Sequence, residues 1–195
     1  MWKREQERGQ TLNNKPGTDA KELALIEKSI IKTMRKFRES PRSFWSTDDI
    51  RCHLKLQLLK GRLFKKGSLG NIFLSFPTKS RYEQSPNGLL TPSPTGMNEH
   101  FALAGWAASL PTTWNHMTQQ LSFAIEVECF PVIPDGWTAR IRNDLLKLSD
   151  EKNEVPARGR FLLLLTTQPT SLFRGQLNSL FEEFPSVRCY QQISQ

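Results

Sequence analysis

Residues 123–131, FAIEVECFP, carry two carboxylates two positions apart. On a β-strand successive side chains alternate faces, so Glu126 and Glu128 share one face. Phe123, Ile125, Val127 and Cys129 take the other. Two carboxylates spaced ~6–7 Å along one face are oxygen donors of the kind a hard divalent cation prefers. The bland reading of the same pattern is the solvated side of a half-buried sheet. Cys52, Cys129 and Cys189, with His53, His100 and His116, show no metal-ligand spacing. Glu126 is therefore the candidate metal ligand, and a weak one.

The elements that must position this strand are legible from periodicity. Residues 1–18 read as a flexible polar arm. Asp19 and Glu22 form a capping-box pair, and Leu23, Ile26, Ile30, Met34 and Phe37 recur at helical spacing. Ser46 and Asp49 cap a second helix, with Ile50, Leu54 and Leu58 as its apolar face, running to about Lys60. NIFLSFP then predicts a strand ended by Pro77. Residues 83–98 and 106–120 read as long loops, with HFALAGW a strand between them. FAIEVECF is the third strand of a meander. Ile141, Leu145 and Leu148 mark a helix, RFLLLLTT a strand buried on both faces, Phe173 to Phe184 a last helix, and SVRCY a closing strand. The expected order is α-α-β-β-β-α-β-α-β, one mixed α/β domain over 19–195.

Charge is distributed unevenly. Residues 1–66 hold 17 Lys and Arg against 8 Asp and Glu, while residues 67–195 hold 10 against 11. A concentrated positive field suits a polyanion, because neutralising phosphates releases counterions. Lys36 and Arg38 end the first helix; Arg51, Lys55, Lys60, Arg62, Lys65 and Lys66 follow on the second helix and its exit loop. These eight are the candidate nucleic-acid contacts, with duplex DNA the expected partner. The alternative is a solvated helix surface or a protein partner. No stretch approaches the length of a membrane span, and the N-terminus has no signal-peptide core. Cysteine usage points to a reducing cytoplasm.

The element order, with an acidic pair on the third strand, resembles the PD-(D/E)XK nuclease superfamily, whose fold is restriction-endonuclease-like. Small stand-alone members carry segments similar to SPRSFWSTDDI (40–50), SFPTKSRY (75–82), EHFALAG (99–105), FAIEVEC (123–129) and IRNDLLKL (141–148). The resemblance implies Mg²⁺ held between an Asp on the second meander strand and the acidic residue of the third. A Lys two positions on would polarise the attacking water. In this chain the Asp position is Ala102, the acidic position is Glu126, and the Lys position is Glu128. Glu99, three residues from Ala102, falls on the opposite face of a regular strand. Lys147 on the following helix, or Asp49 on the second, could reach in as substitutes.

The leading expectation is thus a nuclease-fold nucleic-acid-binding protein with a degenerate, inactive site and no cofactor. The first alternative is an active Mg-dependent DNA endonuclease with a rearranged site built on Glu126 and Glu128, with Asp49 or Lys147. The second is a winged-helix DNA-binding regulator, which would need three helices before its wing where two are counted.

Overall fold

A computed structural model describes residues 20–44, 46–61, 72–105, 121–167 and 171–194. The arm at 1–18 and the 106–120 loop lie outside the described residues. Helix α1 (Ala20–Glu39) buries Ile26, Ile30 and Phe37 and stops two residues before Pro41, which supplies no backbone N–H. Helix α2 (Thr47–Lys60) starts with a complete capping box. Ser46 Oγ accepts from the Asp49 amide at 3.2 Å, and Asp49 returns the bond to the Ser46 amide at 3.0 Å. Asp49 is exposed and committed to this cap. It does not join the carboxylates of the sheet.

Strands β1 (Ile72–Gln84), β2 (Leu90–Pro92), β3 (Met97–Gly105), β4 (Phe123–Phe130), β5 (Arg160–Thr166) and β6 (Arg188–Ile193) form one mixed sheet in the order β2-β1-β3-β4-β5-β6. The β1–β3 and β3–β4 pairs are antiparallel; β4–β5 and β5–β6 are parallel. Helices α3 (Trp137–Ser149) and α4 (Ser171–Glu182) supply the crossovers that parallel pairs require. Among the described residues the chain is mixed α/β, with four α-helices and one six-stranded mixed sheet, and β2 is a strand the sequence reading did not include.

Two cores flank the sheet. On one face α1 and α2 pack over Ile125, Val127, Phe161, Leu163 and Leu165. On the other, α3 and α4 cover Ala124, Phe130, Leu162 and Leu164. The leucine run of β5 is buried on both faces, as its uninterrupted apolar sequence requires. Among the described residues no helix is long and apolar enough to cross a membrane.

Two expectations about β1 are corrected. The strand does not end at Pro77 but continues to Gln84, with its β3 register shifting between Pro77 and Arg81. An irregularity of this kind tolerates a residue that cannot donate to the ladder. Residues 83–98 are likewise not one long loop. Ser85–Leu89 turns the chain through Gly88 (φ 82°) into β2, which pairs back on β1. Asn143 of α3 clasps this hairpin, accepting from the Leu90 amide and donating to the Gly88 carbonyl, both at 3.0 Å.

The shifted segment of β1 is anchored by Asn153, which is fully buried. Its Oδ1 accepts from the Ser80 amide at 2.8 Å, and its Nδ2 donates to Tyr82 Oη and to the Lys147 carbonyl, each at 2.9 Å. One amide thus ties β1 to the end of α3. Asn153→Ala strands a buried Ser80 N–H and the Lys147 carbonyl. It is expected to cost about 2–6 kcal/mol, at about 1–3 kcal/mol for each unsatisfied group. A urea titration of wild type and variant measures the loss.

Candidate functional site

Glu126 and Glu128 lie on the α3 face of β4, and that face is not wet. Glu126 is 2% exposed and Glu128 8%. What reaches them comes from one helix. Asp144 and Lys147, one turn apart on α3, stand over β4 and are themselves buried. Lys147 Nζ lies 2.9 Å from Glu126 Oε1 and 3.1 Å from Asp144 Oδ1, and donates to the His100 carbonyl at 3.2 Å. An ammonium has three N–H donors and no acceptor. The His100 contact is a formed hydrogen bond, the two carboxylates are close ion-pair partners, and Glu126 Oε1 is itself buried without a hydrogen-bond partner among the described residues. The second Glu126 oxygen accepts from the Ala102 amide at 3.2 Å. Arg140, at the start of α3 and half exposed, pairs with Glu128 Oε2 at 2.8 Å and lies over the Phe130 ring at 5.2 Å.

Lys147 thus reaches the strand, as its position on the following helix allowed. Asp144 was not singled out by sequence, although the i, i+3 spacing to Lys147 places both on one helix face. Glu99 does lie on the face opposite Ala102, but it is Glu99 that takes the cavity side. With Gln84, Leu90, Glu128, Arg140, Asn143, Asp144 and Lys147 it lines a cavity of about 200 Å³. Ala102 falls on the other side because β3 does not alternate regularly. Phe101 belongs to the α3–α4 core, yet Ala102 and Leu103, adjacent in sequence, both belong to the α1–α2 core. Ser75 on the neighbouring strand takes a left-handed φ of 53°, a conformation costly for a residue with a Cβ. The slip has a second consequence: Ala102 offers Glu126 its backbone amide, while its methyl packs in the α1–α2 core. An Asp side chain at 102 would enter that core, not the cavity.

The electrostatics follow from burial. Three carboxyls (Glu126, Glu128 and Asp144) meet two cations (Lys147 and Arg140). Burial raises the pKa of Glu126, opposed by the Lys147 ammonium. Burial also raises Asp144, opposed by Lys147 and Arg140. Glu128 is pushed up to about 7, first by burial and then by Asp144, against the pull of Arg140. Burial alone would lower Lys147, but Glu126 and Asp144 reverse that and hold it charged. Asp144 Oδ2 and Glu126 Oε1 are buried without a hydrogen-bond partner among the described residues, which disfavours the charged carboxylate forms.

Mg²⁺ does not fit this arrangement. Ala102 brings no ligand atom, and both Glu126 oxygens already face the Lys147 ammonium and the Ala102 amide. Among the described residues no group of three His, Cys, Asp or Glu side chains is arranged to hold a metal ion.

The basic candidates divide. Arg62, Lys65 and Lys66 lie outside the described residues. Arg38 and Lys36 are exposed at the end of α1. Lys36 and Lys60 both act on His53, whose pKa is lowered by burial and then by these two cations. Arg51 pairs with Asp48 at 3.0 Å and, from the other flank of α2, lies close enough to Glu128 to lower its pKa. Lys55 is one turn further on the Arg51 side.

No family model, no curated protein and no solved structure matches the chain. The site is defined by its own geometry.

Two outcomes are expected. Lys147→Met leaves Glu126 and Asp144 without their buried counter-charge, at a cost of about 3–5 kcal/mol in a chemical-denaturation experiment. The second concerns pH. A carboxyl whose pKa rises on folding contributes stability that is full below its unfolded value and lost as pH passes its folded one. For Glu128 that window runs from 4.5 to about 7. The melting temperature of wild type should therefore fall across it. Glu128→Gln, which removes the titrating carboxyl while its carbonyl can still accept from Arg140, should flatten the Glu128 part of that fall. An unchanged profile in the variant would show that Glu128 does not titrate in this window.

Proposed function

We propose that this chain is a nuclease-fold nucleic-acid-binding protein that does not cleave its ligand. The fold reading rests on the α-α-β-β-β-α-β-α-β order and on the mixed sheet in which β3 and β4 meet at Ala102 and Glu126. One observation carries the loss of cleavage: Lys147 is held as an ion pair between Glu126 and Asp144 and donates to the His100 carbonyl. A lysine so held is not free to orient a water or a phosphate. The ammonium also fills the space beside Glu126 where the resemblance implies a divalent cation. The binding half rests on the excess of Lys and Arg in residues 1–66, which suits a phosphate backbone read without base specificity.

The variant-endonuclease reading keeps one supporting observation, the 2.9 Å approach of Lys147 to Glu126, the acid and the lysine that such a site would use. A cleavage assay separates the two. Plasmid and single-stranded substrates incubated with Mg²⁺ or Mn²⁺ should remain intact. Robust cleavage that Glu126→Ala abolishes would establish the endonuclease instead.

A further inference from the structure

The sheet separates the negative cavity from much of the positive charge. Glu126, Glu128 and Asp144 lie under α3, whereas α1 and α2 cover the opposite face. A duplex approaching the cavity meets Glu99, Glu128 and Asp144, with Lys147 already neutralised by its partners. Carboxylates repel phosphate there unless a cation intervenes. Across the α1–α2 layer the situation reverses. Residues 20–61 hold ten Lys and Arg against five Asp and Glu. Three of those acids are already engaged: Glu27 with Arg188 of β6, Asp48 with Arg51, and Asp49 in the α2 cap.

Within this layer one group is built rather than merely charged. His53 is held edge-on against Phe44, with ring centres 5.5 Å apart and planes at 89°, and Phe44 in turn meets Phe37 at 6.1 Å. Gln57 Nε2 lies 3.3 Å from His53 Nε2. The imidazole is therefore fixed where the end of α1 meets α2, with Lys36 beside Phe37 in the last turn of α1 and Lys60 two turns on from His53 in the last turn of α2. We propose that the Lys36–His53–Lys60 ridge is the surface that contacts the nucleic-acid phosphate backbone, facing away from the carboxylate cavity. This rests on the nucleic-acid reading above and specifies where the ligand sits. It also gives a reason for inertness that is independent of metal chemistry: a backbone held on the α1–α2 layer is separated from Glu126 by the sheet itself.

The ridge makes a chemical prediction that a solvated surface does not. Burial first and then the two lysines disfavour His53 protonation, and a phosphate between the lysines relieves their share of it. Binding should then raise the His53 pKa, and lower pH should tighten binding as the imidazole adds a third positive charge. The test uses the full chain and a labelled duplex of mixed sequence at two salt concentrations. It compares wild type with Lys36→Ala/Lys60→Ala and with Arg51→Ala/Lys55→Ala, while NMR follows the His53 resonances, assigned with His53→Gln. The Lys36/Lys60 variant is expected to lose about tenfold or more in affinity and about two units of log–log salt slope. The Arg51/Lys55 variant should stay closer to wild type, and duplex should move the His53 titration to higher pH. If Arg51 and Lys55 carry the binding and His53 does not respond, this ridge is wrong while nucleic-acid binding stands. If wild type binds no duplex at low salt, both readings fall and the basic layer faces a protein.

Discussion

A buried ammonium organises this molecule. Lys147 sits between a strand and its own helix, and taking a cation out of water is tolerable only if its partners are close and complete. Glu126, Asp144 and the His100 carbonyl meet that condition from β4, α3 and β3. The requirement propagates outward. Glu126 turns its other oxygen to the Ala102 amide, and Asp144 raises the pKa of Glu128, which takes Arg140 in turn. The end of α3 is fixed in the same way, since the Lys147 carbonyl is bound by Asn153, which also holds the shifted part of β1. An ion cluster of this kind specifies one register of helix on sheet. It adds less net stability than the closeness of its charges suggests, because desolvation offsets much of the attraction.

The same cluster constrains chemistry. A lysine that polarises water needs a free donor, and a carboxylate that binds Mg²⁺ needs free oxygens. Here the lysine and Glu126 form a close ion pair. The cavity beside them is lined by Glu99, Glu128 and Asp144 together with Arg140 and Lys147. The positive charge of the α1–α2 layer is divided by α2. The Lys36 and Lys60 flank meets α1 around His53, and the Arg51 flank looks toward Glu128.

Much of this was determined by sequence alone. Helical spacing from Leu23 to Phe37 defined α1, the Ser46–Asp49 pair began α2, and the unbroken apolar run 160–167 made β5 central, because each depends on a local period or cap. The shared face of Glu126 and Glu128 followed from alternation along one strand. Lys147 was within reach on the same reasoning. Other features waited for the tertiary structure. The burial of the glutamates depends on α3 closing over them, and nothing in FAIEVECF states what covers it. Glu99, not Ala102, takes the cavity side because Ala102 and Leu103, adjacent in sequence, both turn to the α1–α2 core, which local alternation does not give. The continuation of β1 past Pro77 depends on Asn153, 73 residues from Ser80. Local periodicity assigns a side chain to a face; only packing decides whether that face is wet, buried or already paired.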